Sequence, residues 1–468
     1  MALNSGAHLH LIGIGGTGLS AIGRVLLESG FRVSGSDRQL SNLALQLRSA
    51  GAVIFEGHRA ENISGADLVI RSSAVSDDNP EVVEARRLSI PVLKRADFLG
   101  ELLASRVGIA IAGTHGKTTT TSMVAWMLTA LDQDPSYIIG GIAHNLGANA
   151  RAGGGKTFVI EADEYDRMFH GLRPTYAVIT NVEHDHSDCY PTAQDFYQAF
   201  LTFGQSVKPD GALIVCADDP GALRLAGELQ NGPTPVLLYG LTGSTNDYTA
   251  AGVLPNNLGG FSFDVRLKDG SAPCSVQLQV PGVHNVLNAL SALAVAHQLG
   301  LDLAKAAKAL GEFQGSGRRF EVLGEACGVT LVDDYGHHPT EIRATLAAAR
   351  ARYPGAQIWA VWQPHTYSRT QTLFSAFSQA FGDADHIVVT EIYPSRELPP
   401  AGGYSSRLVA SAIPQTDVTY AANLQAAVDI LTTRLTPGSV VIVFSAGDAD
   451  HANRKVYQFL KEKELANV

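Results

Sequence analysis

The stretch Ala110-Ile111-Ala112-Gly113-Thr114-His115-Gly116-Lys117-Thr118-Thr119-Thr120-Thr121 decides how this chain is read. The apolar run from Val107 to Ala112 has the character of a buried parallel strand, and Ser122 to Leu131 carries apolar residues at helical spacing. The Gly-Lys-Thr therefore falls between a strand and a helix, where phosphate binds. Backbone N–H groups of a tight glycine turn and of a helix N-terminus converge there, the helix dipole adds positive potential, and the Lys117 ammonium adds a full charge. Thr118 is placed to offer its hydroxyl to Mg²⁺. The pattern is shortened, because Ile111 stands five before Gly116 and the first glycine is Gly113. A second match, Gly153-Gly154-Gly155-Lys156-Thr157, runs into the strand-like Phe158-Val159-Ile160 and so lacks the helix that completes the amide cradle.

A chain of 468 residues is too long for one ordinary core and predicts about three domains. Net charge -10 with 17% charged residues argues against nucleic acid as a partner. Cys189, Cys216, Cys274 and Cys327 are far apart with no Cys-x-x-Cys, so neither a zinc site nor a disulfide framework is indicated, and a reducing cytoplasm fits. Met1 to His8 does not read as a signal peptide, and no apolar run is long enough to cross a bilayer. The expectation is a soluble cytoplasmic protein without membrane insertion, monomer and homodimer both left open.

Upstream of the phosphate loop, the strand candidate Leu9 to Ile14 leads into Gly13-Ile14-Gly15-Gly16-Thr17-Gly18, with a helix-like Leu19 to Glu28. Asp37 ends a second strand, Phe31 to Ser36, where dinucleotide folds place the acid that holds a ribose hydroxyl. Taken alone this predicts a nicotinamide or flavin site, but the same turn holds any diphosphate-linked nucleoside. Further strands at Ala52 to Phe55, Leu68 to Ser72 and Pro91 to Leu93 complete a small doubly wound domain. Ser72 and Ser73 sit at a strand end where such sheets bind ligands, or they cap a helix.

Downstream, the short strand Thr157 to Ile160 ends in Glu161-Ala162-Asp163-Glu164-Tyr165-Asp166. Carboxylates at a strand end beside a phosphate loop hold Mg²⁺ directly or through water, with a solvated loop as the plain alternative. The strand Tyr176 to Thr180 runs into Asn181-Val182-Glu183-His184-Asp185-His186-Ser187-Asp188, dense in histidine and carboxylate. A spacing of two does not give a helical zinc pair, so a histidine beside a second divalent ion is the sharper reading. Alternation from Asp247 to Val280 predicts a β-hairpin or meander as an excursion from the α/β core. Helices follow at His284 to Leu299 and Ala304 to Phe313, and Gly315-Ser316-Gly317 makes a boundary.

The last part alternates strand Val329 to Asp333, helix Thr340 to Tyr353, strand Ile358 to Val361, helix Thr370 to Phe381, and strands His386 to Thr390 and Ser439 to Phe444. Asp333-Asp334-Tyr335-Gly336-His337-His338-Pro339, Gln363-Pro364-His365-Thr366-Tyr367-Ser368-Arg369-Thr370 and Ser445-Ala446-Gly447-Asp448 fall at its strand ends, facing one edge of a sheet. The overall expectation is an α/β protein: a Rossmann-like domain over 1–105, a central P-loop ATPase-type domain over 106–315 and a second Rossmann-like domain over 316–468.

Together the motifs are specific. Gly-Thr-His-Gly-Lys-Thr-Thr, Glu-Ala-Asp-Glu, Thr-Asn-Val-Glu-x-Asp-His, His284-Asn285-Val286-Leu287-Asn288, Gly317-Arg318-Arg319-Phe320-Glu321 and Asp333 to Pro339 stand in the order seen in Mur ligases. The chain resembles that family along nearly its whole length, most of all the branch that adds L-alanine to UDP-N-acetylmuramate. The resemblance implies an N-terminal domain holding the UDP-sugar through Gly15, Gly16, Thr17, Gly18, Asp37, Ser72 and Ser73. It implies ATP on Gly113, Thr114, His115, Gly116, Lys117, Thr118 and Thr119, with Asn285, Asn288, Arg319 and Asp334 reaching the nucleotide. Thr118 and Glu161 would hold one Mg²⁺ and His186, in the family's register, a second, while His337 and Arg369 would lie near alanine. Phe200 stands where several relatives carry a carbamylated lysine, Thr366 where some carry arginine, and Ser445 where Gly-Ala-Gly-Asp usually begins.

The implied reaction activates the lactyl carboxylate of UDP-N-acetylmuramate as an acyl phosphate and joins it to L-alanine, with Lys117, Glu161, His186, Arg319, Asp334 and His337 as the catalytic set. His337 either eases deprotonation of the amine or only orients substrate. A tripeptide-recycling ligase of the same family shares the ATP chemistry. An NAD(P)-dependent oxidoreductase leaves the phosphate loop unexplained, and a non-catalytic nucleotide sensor leaves the full motif set unexplained.

Overall fold

The structure, a computed structural model, describes residues 6–466; residues 1–5 of the Met1 to His8 leader reading lie outside it. The chain builds three α/β units, each around one sheet. The first sheet has five parallel strands in the order Val53–Glu56, Arg32–Asp37, His8–Ile12, Leu68–Arg71, Val92–Lys94. The strand order reverses beside His8–Ile12, so the glycine turn at Gly13 and the Arg71-Ser72 end flank one crevice, where open sheets of this kind take ligands.

One face of this sheet is unusually polar. Glu81, fully buried, accepts from Ser36 Oγ and Asn62 Nδ2 at 2.6 Å each, with His58 Nδ1 at 3.1 Å and His10 Nε2 at 3.6 Å. These bonds outweigh burial and hold the Glu81 carboxyl below its usual range.

The central sheet has ten strands. Seven run parallel, in the order Tyr248–Pro255, Val236–Gly240, Ala212–Cys216, Tyr176–Ile179, Val107–Ala112, Thr157–Glu161, Ser136–Ala143. Antiparallel Phe261–Leu267 and Cys274–Gln277 extend one edge, and Ala148–Arg151 the other. The central strands are near-continuous apolar runs because helices cover both faces. The alternating segment after Asp247 is a meander, as expected, and it continues the edge of the main sheet, Gly240 pairing with Thr249. Period-2 alternation marks a half-exposed strand but says nothing about its neighbour.

The third sheet runs Glu321–Ala326, Val329–Asp334, Ser439–Phe444, Gln357–Trp362, His386–Thr390, Val418–Ala421, with only the first strand antiparallel. Asp334, Phe444 and Trp362 are in register, so the three polar loops do share one sheet edge. The helix expected over Thr370 to Phe381 is instead two short ones, Tyr367–Thr372 and Phe374–Ser378, broken at Leu373.

The first and central sheets share one apolar core, which runs without a break from Leu9 and Leu26 through Phe98 and Leu103 to Ala110 and Phe200. The third sheet keeps two cores of its own. Gly315-Ser316-Gly317 joins them, yet it is no free linker. Ser316 is fully buried and donates to Ser122 Oγ at 2.9 Å, and the Gly317 N–H donates to the Ile142 carbonyl at 2.9 Å.

Candidate active site

The strand Val107–Ala112 lies between Thr157–Glu161 and Tyr176–Ile179, with Ile111 opposite Glu161 and Ala112 opposite Ile179. The loop that follows therefore emerges with the Glu161 to Glu164 carboxylates on one side and the Asn181 to Asp188 loop on the other. Gly113 has φ +138°, and a Cβ there would stand 1.9 Å from Thr180 Oγ1, so only glycine fits. Thr114 Oγ1 accepts from the Glu183 N–H and donates to its carbonyl, at 2.9 and 2.7 Å, and the His115 N–H donates to Asn181 Oδ1 at 2.8 Å.

Gly116, φ +80°, starts the helix Lys117–Ala130, which has no side-chain cap and no acid in its first turn. Its free N–H groups are an anion site. The Lys117 ammonium donates to the Gly113 carbonyl at 2.6 Å and to Glu164 Oε1 at 2.9 Å, with Glu164 Oε2 in ion-pair contact at 2.8 Å. Burial alone would lower its pKa; Glu164, Asp163 and Glu161 raise it instead. Thr118 Oγ1 donates to Glu161 Oε1 at 3.0 Å, while Glu161 Oε2 accepts from the Gly140 N–H at 2.7 Å. Burial raises the Glu161 pKa despite Lys117. A hydroxyl and a desolvated carboxylate side by side at the foot of a phosphate loop are the oxygen donors Mg²⁺ prefers.

His186, φ +54°, brings Nε2 to 3.4 Å from Glu164 Oε1 and 3.9 Å from Asp185 Oδ2. His184 turns away, its Nε2 2.9 Å from the Tyr190 carbonyl, so only His186 faces the carboxylates. Phe200 is fully buried between Phe169 and Phe196 and offers no ligand. The decoy glycines close another structure altogether: a Cβ on Gly155 would lie 1.9 Å from the Gln133 carbonyl, and the strand Thr157–Glu161 follows.

Two adjoining cavities meet at Gly116, Arg319 and Glu341. One, about 850 Å³, is lined by His115, Gly116, Thr119, Asn285, Asn288, Arg319 and Asp334 among others. Asn288 Nδ2 donates to Asn285 Oδ1 at 3.0 Å beside Gly116. Asp334 is pushed up to about 6 by burial, its oxygens accepting from the Phe320 and Gly336 N–H groups at 2.9 and 2.7 Å. The other cavity, about 640 Å³, reaches from Thr17 through Lys117, Thr118, Glu161 and His186 to His337 and Arg369.

In the second cavity Arg369 donates to Asp185 at 3.0, 2.9 and 3.2 Å, joining the third unit to the central one. His337 Nδ1 lies 3.1 Å from the Tyr335 carbonyl, and burial pushes its pKa down to about 3. Thr366 holds φ +65° and ψ 146°, strained backbone for a β-branched residue. Ser445 donates to Gln363 Oε1 at 2.6 Å and Gln363 donates to Asp448 at 2.8 Å, so this strand-end cluster is a structural knot.

Of the residues expected to hold a UDP-sugar, Thr17 alone lines the second cavity; Gly15, Gly16, Gly18, Asp37, Ser72 and Ser73 lie along the edge of the first sheet. Asp37 Oδ2 accepts from the Gly15 N–H at 2.8 Å, fastening the turn. Ser72 and Ser73 cap no helix, since the next one, Pro80–Arg87, is capped by Asn79.

Sequence reading gave no role to Glu341 or Arg95, and none to Asp185 beyond its place in the histidine loop. Glu341 accepts the His337 and His338 N–H groups at 2.9 and 3.2 Å and faces His115 Nδ1 at 3.3 Å and Arg319 at 3.6 Å. Its signal was the capping-box position after Pro339. Arg95 lies against Gly18, where a Cβ would stand 1.7 Å from its guanidinium, and 3.9 Å from Asp163.

A phosphate loop edged with carboxylates, and a cavity shared by three α/β units, define a multidomain nucleotide-dependent enzyme. Three family models cover most of the chain: the Mur ligase family catalytic domain over residues 8–107, the Mur ligase middle domain over 111–296 and the Mur ligase glutamate ligase domain over 318–447. The chain belongs to the Mur ligase family. It is 43% identical over 461 residues to the UDP-N-acetylmuramate--L-alanine ligase of Desulforamulus reducens, covering 97% of this chain and 98% of that one. Among solved structures, the UDP-N-acetylmuramate-alanine ligase of Thermotoga maritima superimposes with a TM-score of 0.80 at 30% identity, over 97% and 99% of the two chains. A murein peptide ligase from Psychrobacter arcticus gives 0.69 at 26% identity, over 97% and 99%.

Proposed function

We propose that the protein joins L-alanine to the lactyl carboxylate of UDP-N-acetylmuramate at the expense of ATP, releasing ADP and phosphate, in the cytoplasmic steps of peptidoglycan synthesis. The observation that carries this reading is the second cavity, which draws on the first unit at Thr17, the central unit at Lys117 and the third at Arg369. Residues 1–105 then hold the UDP-sugar, with the glycine turn on its diphosphate, 106–315 hold ATP and 316–468 bring the amino acid.

A carboxylate is a poor acyl donor because oxide is its leaving group. Transfer of the γ-phosphoryl group of ATP to the lactyl carboxylate forms an acyl phosphate and ADP; the alanine amine then attacks the acyl carbon, and inorganic phosphate leaves as the amide forms. Lys117 and Arg319 neutralise the charge spread over the transferred group, which is most of what a protein contributes to this step. Thr118 and Glu161 would hold one Mg²⁺ and His186 would help hold another. When bound, these ions neutralise phosphate oxygens. His337 orients the amine: its Nδ1 lies 3.1 Å from the Tyr335 carbonyl, and the burial that pushes its pKa down to about 3 disfavours it as the base.

The test is phosphate release from ATP with UDP-N-acetylmuramate and Mg²⁺, comparing L-alanine, the tripeptide Ala-Glu-diaminopimelate and no acceptor. Release that depends on alanine, with a product heavier by one alanyl residue, is the expected result. Release with the tripeptide alone moves the protein to the recycling branch.

A further inference from the structure

On this ligase reading the amino acid brings a carboxylate as well as an amine into the second cavity, and a full negative charge leaves water at acceptable cost only against a cation. Among the described residues, Lys117, Arg318, Arg319, Arg369 and Arg396 are the Lys and Arg side chains lining that cavity. Four are committed. Lys117 holds Glu164. Arg318 donates to the Ser445 carbonyl at 2.6 Å and the Gly447 carbonyl at 3.3 Å. Arg319, 3.6 Å from Glu341 and 5.0 Å over the Tyr335 ring, is taken up on the same reading by the transferred phosphoryl group. Arg369, the residue the resemblance assigns to alanine, gives Nε and Nη2 to Asp185, and its Nη1 stands 3.1 Å from His365 Nδ1. No edge of that guanidinium is left for a second carboxylate.

Arg396 differs. It follows the strand His386–Thr390 on a loop at the cavity mouth, and its side chain is 67% exposed. Its one ion pair is loose: Nη2 is 3.6 Å from Asp188 Oδ2, an oxygen that already accepts from the Tyr165 hydroxyl at 2.9 Å. The guanidinium lies 4.6 Å over the Tyr165 ring, a contact that leaves its edges free to donate. It is also close enough to His365 to act on it: burial first, then Arg369 and Arg396, push that imidazole down to about 4.

We propose that Arg396 receives the α-carboxylate of the incoming amino acid, exchanging its contact with Asp188 for the substrate. A free amino acid is thereby selected over a peptide, whose first residue has its carboxyl group locked in an amide. Arg369 and Asp185 position the loop that carries His365 and Thr366, and the charge that reads the substrate comes from beyond it.

The experiment measures phosphate release by the full chain with ATP, UDP-N-acetylmuramate and either L-alanine or L-alaninamide, in the wild type, Arg396→Ala and Arg396→Lys. In the wild type L-alanine should have the lower KM by roughly 10- to 100-fold, the worth of one charged hydrogen-bonded pair. Arg396→Ala should raise the KM for L-alanine by a similar factor, while the KM values for ATP and L-alaninamide stay within about twofold. Arg396→Lys should recover part of the loss. An unchanged KM for L-alanine in Arg396→Ala overturns the assignment, and so does an equal rise for both acceptors. If the wild type releases no phosphate on addition of L-alanine, the ligase reading itself falls and takes this inference with it.

Discussion

Arg369 of the third unit donates to both oxygens of Asp185 of the central unit, and both side chains are more than nine-tenths buried. The arginine holds the Asp185 carboxyl far below the ordinary carboxylate range, against the opposing effect of burial. An ion pair buried between two units couples their positions more firmly than any exposed one.

Removing one partner leaves the other charged and buried. Asp185→Ala should therefore cost about 3 to 5 kcal/mol, read as a lowered midpoint in thermal unfolding. The double variant Asp185→Leu, Arg369→Met should recover much of it. A depressed pKa stabilises above the unfolded value, so the contribution should persist at every pH above about 4 and be lost only as pH falls below that.

Lys117→Ala should lower phosphoryl transfer by roughly 10³-fold or more, since one preorganised charge is lost where charge develops. Equilibrium binding of UDP-N-acetylmuramate should stay nearly unchanged, because its glycine turn stands on another sheet. Single-turnover transfer from γ-labelled ATP and calorimetric binding of the UDP-sugar separate the two effects. Loss of both would contradict the division of labour between the units.

His115 lies 2.9 Å from Glu183 and 3.3 Å from Glu341, which belong to different units. Burial opposes its charge, but the two carboxylates prevail and its pKa is raised to about 9. A raised pKa stabilises fully below the unfolded value near 6.5 and is lost as pH rises through the folded one. Without nucleotide, stability should fall by on the order of 2 kcal/mol between about pH 7 and 10. His115→Gln should flatten that part of the profile, measured by unfolding midpoints across pH.

Glu81→Ala should destabilise the first unit by about 2 to 4 kcal/mol, because Ser36, Asn62, His58 and His10 lose their shared acceptor in a buried place. The effect should appear in unfolding midpoints, and the KM for ATP should not move. The lowered Glu81 pKa adds a sign: the network stabilises at neutral pH and weakens as pH falls below the carboxylate range.

Local pattern carried the phosphate loop, the strand ends and the order of the three units, since each is written in a few adjacent residues: the Gly-Lys-Thr turn, the apolar runs, the polar clusters that close them. Pattern said nothing of partners distant in sequence. Arg369 meets Asp185 across 184 positions, and even the nearby pairing that folds the meander into the main sheet, Gly240 with Thr249, carries no alternation signal. The leucine that breaks one expected helix into Tyr367–Thr372 and Phe374–Ser378 is a good helix former by itself. There the strained turn at Thr366 and the packing of Phe377 on Trp362 outweigh propensity.

The apolar core shared by the first two units has a consequence for timing. On the proposed reading the acid to be activated and the nucleotide that activates it ride on one body, while Arg319, which neutralises the transferred group, comes from the third unit. The amine arrives on a second body, fastened through polar contacts. Making the reactive anhydride and consuming it would thus both wait on the docking of that second body. A ligand that wedges the third unit open should halt the sequence before either step, with neither ADP nor amide formed.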